Sequence, residues 1–333
     1  MLQLSSKFSR LPTLAMVLLG LCAKAPLASA DPLVLKAGIA EPSNSDLAWW
    51  MADVGGFFAE QGLKVEFIPG DGNRGLKDLQ AGRIDIMHRG LSNIVNVNRS
   101  GGDLRLIGCL GDKVRFVFFS APGVNSSADL KGGAVAISNF GSEGDSAATL
   151  ALKQLGLTRD DVTIKEVSPS LRAMTAVQSG EVKAVMLSEP FTSLARAQGI
   201  HVLIDLNAQN IPWLFTGIAV QHAAIASRRA DFKKFLRATI EGNYLAFSNP
   251  RLAKETLAKE LKVSDPRAIE IAYNDYKHQT PLNVDLSAKA AANTLAAFSG
   301  ISTRVDDYID GSLLEEIGQE GFVDELQRRF KLP

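Results

Sequence analysis

Short apolar runs alternate along the chain with longer segments in which apolar residues recur every three or four positions. The first runs are residues 33–40, 65–68, 84–87 and 104–110. Their length and composition predict buried strands. Residues 73–82, with Leu76 and Leu79 on one face and Gly82 at the end, predict a helix between two of them. Strands separated by helices are typical of βαβ units and predict a largely parallel sheet.

A second series repeats this plan farther along the chain. It predicts strands at residues 134–137, 162–167 and 184–187, and helices at residues 144–156, 171–180 and 190–199. Residues 79–86 and 177–185 resemble each other, since each has a helix end, a glycine and a buried strand. This similarity indicates two like lobes. From residue 223 onward the pattern is helical, as expected of a chain that returns to cover the first lobe.

Two predictions concern the connections between elements. Residues 54–61 read as one helix that is closed by Gly62, with a strand beginning at once, because glycine readily adopts the left-handed conformation that ends a helix. Residues 115–119 and 215–220 flank the second series, so we expect them to be the crossover strands and hinges between the lobes.

The first thirty residues have the pattern of an export signal. Lys7 and Arg10 precede the apolar residues 14–21, and Ala-Ser-Ala at 28–30 is a cleavage site of the small-x-small type. We expect cleavage after Ala30. Cys22 raises the alternative of a lipoprotein, which we disfavour because Leu21 stands where such signals carry a small residue.

Charge and cysteine content narrow the function classes. Beyond residue 30 the chain has 303 residues, enough for two lobes, with 33 Lys and Arg against 36 Asp and Glu. This slight acidic excess does not favour nucleic acid or anionic lipid as a partner. Cys109 is the one cysteine left after cleavage and lies in an apolar run, which favours a buried, inert thiol. We find no metal-binding spacing and no catalytic motif, and we expect no catalytic residue, metal or cofactor.

Ligands of open parallel sheets bind beyond the carboxyl ends of the strands. Five loops occupy such positions: residues 41–45, 70–74, 89–93, 139–144 and 188–190. Ser92 and Ser142 stand near helix starts, where free N–H groups attract anions, although ordinary N-capping remains the alternative for each. From these loops and nearby aromatics we select as ligand-binding residues Glu41, Ser43, Asn44, Trp49, Arg74, Arg89, Ser92, Asn93, Phe140, Gly141, Ser142, Glu189 and Trp213.

Arg89 is the most specific of these choices. It follows an apolar strand, where a planar guanidinium can hold a carboxylate, sulfonate or phosphonate through two parallel hydrogen bonds. A structural salt bridge to Glu41 or Glu189 is the alternative. For Arg74 the alternative is a solvated position at a helix start, and for each aromatic residue it is packing in the core.

Four segments resemble one known family in the order in which they occur. They are GGFFAEQGLKVEFIPG from residue 55, SADLKGGAVAI from residue 127, Gly141-Ser142, and SGEVKAVMLSEP from residue 179. They are similar to segments of the periplasmic solute-binding proteins of nitrate, sulfonate and taurine importers (NMT1/THI5-like, SsuA/TauA-like). The resemblance implies an α/β fold of the two-lobed periplasmic-binding-protein type (type II), with two parallel-rich sheets flanked by helices and a hinge of two segments. We expect a signal peptide at residues 1–30, the first lobe at 31–120, the second at 121–215, and the return to the first lobe with C-terminal helices at 216–333.

The same resemblance implies a function without chemistry on the ligand. We expect a periplasmic monomer that captures a small, anionic molecule between its lobes and delivers it to an ABC permease with a separate ATPase. One alternative is a pyrimidine-precursor (thiamine-type) binding protein or synthase on the same fold. The synthases use a histidine and a cysteine-rich stretch that we do not find here. A second alternative is a periplasmic ligand sensor.

Overall fold

The computed structural model describes residue 2 and residues 32–70, 72–298 and 300–332. The predicted signal peptide and its cleavage site lie outside the described residues, apart from Leu2. Ten strands follow in chain order: β1 Leu33–Ile39, β2 Leu63–Pro69, β3 Ile86–Arg89, β4 Leu104–Lys113, β5 Val117–Ser120, β6 Ala134–Ile137, β7 Thr163–Glu166, β8 Ala184–Leu187, β9 His201–Asp205 and β10 Pro212–Gln221.

Fifteen α-helices are present in the same described part of the chain. They are α1 Leu47–Val54, α2 Phe57–Glu60, α3 Gly72–Gln80, α4 Leu91–Arg99, α5 Ser127–Leu130, α6 Glu143–Gln154, α7 Ser170–Gln178, α8 Phe191–Ala197, α9 His222–Ser227, α10 Arg229–Ser248, α11 Pro250–Leu261, α12 Pro266–Gln279, α13 Ala288–Leu295, α14 Ser312–Gln319 and α15 Phe322–Phe330. None of these helices is both long enough and apolar enough to cross a membrane.

The strands form two five-stranded sheets, in the orders β2-β1-β3-β10-β4 and β7-β6-β8-β5-β9. In the first sheet β1 runs parallel to β2 and β3, whereas β10 runs antiparallel to β3 and β4. The second sheet repeats this arrangement, with β6 parallel to β7 and β8 and with β5 antiparallel to β8 and β9. The predicted two-lobed α/β fold of type II is therefore confirmed, with one antiparallel strand inside each sheet.

The chain changes sheets twice, between β4 and β5 and between β9 and β10. The first crossover is residues 114–116 and the second is residues 206–211. Strand β5, which we assigned to the first lobe, therefore belongs to the second sheet. The predicted hinge at residues 215–220 lies inside β10, so the second crossover precedes it.

Apolar residues of the sheets and helices form separate cores. One core lies around the second sheet, and two others lie around the first, mainly under α10 and under α4 with α13. A fourth core joins α1 to the helices that follow β10. The long helix α10 thus covers the first sheet, as the helical pattern after residue 223 predicts.

Candidate functional site: a cleft between the two sheets

A cleft opens where strands of both sheets reach their carboxyl ends. It holds two adjoining cavities of about 140 Å³ and about 320 Å³, which share Ala40, Glu41, Ser43, Arg89 and Ser138. The smaller cavity is also lined by His88, Gly90, Asn93, Phe116, Ser142, Glu143, Gly144, Phe215 and Thr216. The larger is also lined by Pro42, Gly70, Gly72, Asn139, Ser168, Ser170, Ser188, Glu189 and Phe191.

Arg89 is the last residue of β3 and lines both cavities. Its guanidinium lies against Gly72 at the start of α3, where a Cβ atom would occupy the same space. The absence of a side chain at Gly72 therefore makes room for this arginine. Among the residues that line the two cavities, Arg89 is the one permanent cation.

Glu143 joins the two lobes through its carboxylate. Residue Ser92, at the start of α4, donates its backbone N–H to Oε1 at 2.7 Å and its hydroxyl to Oε2 at 2.8 Å. The indole N–H of Trp213, in β10, donates to Oε2 at 2.7 Å. Burial raises the pKa of Glu143 to about 7, while these hydrogen bonds and the charge of Arg89 oppose that rise. The donors at the helix start near Ser92, where we expect a ligand from the sequence, are bonded to the protein's own Glu143 side chain.

Two further contacts cross the cleft. The carbonyl oxygen of Gly141 accepts hydrogen bonds from the side-chain amides of Asn93 at 3.3 Å and Asn96 at 3.0 Å. On the opposite side, Ser170 Oγ donates to Glu41 Oε2 at 2.9 Å. With the Glu143 contacts, these bonds connect the two sheets around the cavities.

His88 and Asp46 form a buried pair beside Arg89. The carboxylate of Asp46 accepts from His88 Nδ1 and, at 2.8 Å, from the backbone N–H of Ser43. Asp46 immediately precedes helix α1, and its side chain makes no capping bond to that helix. Within the described residues, His88 Nε2 has no hydrogen-bond partner, although the residue is only 7% exposed.

The second lobe supplies another acid to the described lining of the cleft. Glu189 follows β8 and accepts from the hydroxyl of Ser193 at 2.9 Å. Burial raises the pKa of Glu189, and hydrogen bonds from Thr192 and Ser193 oppose the rise. Together with Glu41 and Glu143, it makes the lining richer in carboxylates than in cations.

Several of the predicted ligand-binding residues lie away from the two cavities. Trp49 is fully buried in the core of the first lobe, stacked on Phe67. Asn44 is buried and bonded to Ala272 and Asp275. The side chain of Arg74 is 83% exposed and approaches Asp78 at 3.9 Å. Phe140 is 53% exposed and, like Gly141, lines a separate cavity beside α3.

The remaining predicted residues cluster in or beside the cleft. Glu41, Ser43, Arg89, Asn93, Ser142 and Glu189 line the cavities, and Ser92 and Trp213 contact Glu143. His88 and Glu143 are not among the residues selected from the sequence. Glu143 lies in one of the five loops at strand ends, so its position in the sequence indicated a place in the cleft. His88 directly follows a predicted strand, which indicated the same.

The described part of the chain has no cluster of metal-binding side chains, and its cysteine is buried. No group of three or more His, Cys, Asp or Glu residues there could hold a metal ion. Cys109 is buried and free, and burial raises the pKa of its thiol to about 12. Since the thiolate is the nucleophile of cysteine chemistry, this thiol is inert at neutral pH.

Comparison with known proteins gives one family match and one curated relative. The NMT1/THI5-like family matches residues 47–253. The riboflavin-binding protein RibY of Chloroflexus aurantiacus is 24% identical over 237 residues, which cover 68% of this chain and 66% of that protein. The matched region thus spans just under two thirds of the relative's length.

Solved structures share the fold. The alkanesulfonate-binding protein SsuA from Xanthomonas axonopodis pv. citri, bound to MOPS, has a TM-score of 0.68 at 19% identity, over 80% of this chain and 91% of that one. The desulfurization enzyme DSZB has a TM-score of 0.62 at 16% identity, over 86% of this chain and 99% of that one. Because the family match covers more than half of the sequence, this chain belongs to the NMT1/THI5-like family.

Proposed function

We propose that the protein is the solute-binding component of an ABC importer. It captures a small molecule between its lobes and presents it to a membrane permease that a separate ATPase drives. The observation that carries the proposal is the polar cleft, whose two cavities are lined from both sheets and crossed by hydrogen bonds between them. Such a cleft favours a closed state that a bridging ligand stabilises further.

Arg89 is the proposed anchor for an anionic group of the solute. It is the permanent cation of both cavities, and its guanidinium is placed by the gap at Gly72. Sulfonate, carboxylate and nitrate groups can each accept two parallel hydrogen bonds from such a fork. The MOPS-bound relative makes sulfonates the first class to test.

A neutral heteroaromatic solute is the second candidate, because RibY is named a riboflavin-binding protein. Phe116 and Phe215 favour it: both line the smaller cavity, and their rings lie 5.1 Å apart at 63°. An aromatic ligand could pack against these faces.

An enzymatic role is the alternative that the fold itself allows, since DSZB shares it. The inert Cys109 disfavours covalent thiol chemistry in the described residues. A sensory role would use the same cleft and differs only in the partner that the closed protein contacts. A solute that binds and is recovered chemically unchanged would contradict the enzymatic role and agree with both transport and sensing.

Export to the periplasm belongs to the same proposal. It rests on Lys7, Arg10 and the Ala-Ser-Ala cleavage site, which precede Asp31. N-terminal sequencing of the periplasmic fraction should begin at Asp31. A lipid-modified N-terminus at Cys22 would contradict this and would indicate a lipoprotein.

A thermal-shift screen tests the proposal. The protein without residues 1–30 is unfolded, dialysed and refolded to remove bound solute, then heated with nitrate, alkanesulfonates, small carboxylates, pyrimidine precursors or riboflavin. A solute that binds only the folded state raises the melting temperature by mass action. At least one class should do so in a saturable way; no response to any class would contradict solute capture.

A further inference from the structure

His88 lines the smaller cavity and has one polar atom that is buried without a partner. The residue is 7% exposed and lines that cavity beside Arg89, and its Nε2 has no hydrogen-bond partner in the described structure. A buried polar atom without a partner destabilises the folded protein, so such atoms are usually satisfied by a ligand or an ordered water.

Asp46 fixes the orientation of this imidazole. It is fully buried, and its carboxylate accepts from His88 Nδ1 while also holding Ser43. The Trp49 ring lies 5.5 Å from the imidazole and further restricts it. When Nδ1 donates to Asp46 and the ring is in its neutral form, Nε2 is the hydrogen-bond acceptor, at the edge away from Asp46.

The charges around the cavity restrict which ligand groups can bind at His88 Nε2. Arg89 offers donors to an acidic group, whereas Glu41, Glu143 and the adjoining Glu189 offer only acceptors when ionised. An inorganic oxyanion such as nitrate has no donor, so it would leave Nε2 unsatisfied and face these carboxylates. A solute that also carries an N–H or O–H group avoids both penalties.

We propose that His88 is a specificity residue that selects an organic acid carrying a hydrogen-bond donor close to its acidic group. The acid binds the Arg89 guanidinium, and the neighbouring O–H or N–H donates to His88 Nε2. This inference rests on the proposed function and narrows its ligand class. It also excludes inorganic oxyanions as the preferred solutes.

Matched acids that differ only in the donor provide the test. Calorimetric titration compares 2-hydroxyethanesulfonate with ethanesulfonate and 2-methoxyethanesulfonate, and glycolate with methoxyacetate. Wild-type protein should prefer the donor-bearing acids roughly ten-fold, the equivalent of one well-made hydrogen bond at a buried site. The same titrations are repeated with His88→Asn and with a control variant.

His88→Asn keeps an amide donor near the position of Nδ1, where Asp46 can still be satisfied, and removes Nε2. The preference for donors should fall to within about two-fold in this variant. His88→Gln restores a polar atom near the position of Nε2 and should recover part of the preference for donor-bearing acids. This variant keeps the inference testable if His88→Asn does not fold. His222→Phe is the control, because His222 forms a similar pair with Asp103 at 3.0 Å but is 48% exposed and lies outside the cleft. This control should keep the full preference.

Each of the remaining outcomes contradicts the inference and shows which part of it is wrong. Equal binding of donor-bearing and donor-free acids by the wild type, or an unchanged preference in His88→Asn, rejects His88 while leaving solute capture intact. Tighter binding of donor-free acids would mean that Nε2 carries a proton, which also rejects it. If riboflavin raises the melting temperature and no acid does, the inference of an acidic solute is wrong, but solute capture stands. If no solute raises it, both the inference and the proposed function are wrong.

Discussion

The carboxylate of Glu143 crosses the cleft and binds Ser92 through both the backbone N–H, at 2.7 Å, and the hydroxyl, at 2.8 Å. Glu143 begins α6 beside the second sheet, and Ser92 lies in the first turn of α4 beside the first. The contact therefore joins the two lobes directly. A solute that enters the smaller cavity has this carboxylate on its wall.

The pH dependence of stability should report on Glu143. Its pKa rises from 4.5 to about 7 on folding, so the folded protein binds a proton between these values that the unfolded chain does not. Raising the pH from 4.5 to 7 should therefore lower the free energy of unfolding, by on the order of 3 kcal/mol from this group, with no further change from it above pH 7. Denaturant titrations across pH 4.5–8 measure this slope.

Glu143→Gln should remove that part of the slope, because the amide does not titrate. The exposed Glu315→Gln, on α14, is the matched control and should retain the wild-type profile. A Glu143→Gln profile that follows the wild type at every pH would show that Glu143 is not the titrating group.

Gly90→Ala should disturb the same contact by steric overlap. Gly90 caps α4 with an extended backbone that alanine adopts without strain, but an added Cβ would overlap the Phe215 carbonyl and the Glu143 carboxylate. We expect a loss of roughly 1–3 kcal/mol in stability, as for other overpacked sites, and a more open cleft. Thermal unfolding and small-angle X-ray scattering measure the two effects.

Gly318→Ala serves as the control for this substitution. Gly318 lies in α14, and no atom lies within 4 Å of an added Cβ there. Alanine in a helix is favoured over glycine, so the control should be neutral or slightly stabilising. Equal stability and equal radius of gyration in both variants would argue against tight packing at Gly90.

The helices and strands could be predicted from the sequence because the signals that start and end them lie in residues that are adjacent in the chain. Gly62 has a φ of 71°, and β2 begins at the next residue, as its position after a helical pattern indicates. The prediction of one helix over residues 54–61 was wrong in detail. Gly56, with a φ of 75°, separates α1 from α2.

The site was less predictable because its key contacts join residues far apart in the chain. The helix start at Ser92 predicted an anion, but the partner, Glu143, lies 51 positions away in the other lobe. His88 pairs with Asp46 across 42 positions, and neither residue type is informative alone. The sequence does not distinguish Trp49 from Trp213, since both were candidates for contact with a ligand. Tertiary packing buries one in the core and directs the other's N–H to Glu143.

Closure of the lobes predicts a change in overall size. The two crossovers permit a rigid-body movement, and a solute that contacts both lobes should favour the closed conformation. Small-angle scattering should give a smaller radius of gyration at saturating ligand than without it. The difference should be larger at pH 8 than at pH 5.5, because burying the ionised Glu143 carboxylate in the closed cleft costs more than burying its neutral form. An unchanged radius at both pH values would contradict closure.

Calorimetric titration of wild type and Arg89→Ala, with a solute selected by the thermal-shift screen, tests the central claim most directly. Wild type should bind one solute per chain, and Arg89→Ala should weaken binding by roughly 2–5 kcal/mol, as when one partner of a buried charge pair is removed. Arg89→Lys should recover only part of this loss, because an ammonium lacks the planar fork. The melting temperature without solute should hardly change. A melting temperature lowered by several degrees with intact affinity would contradict the account and make Arg89 a structural residue.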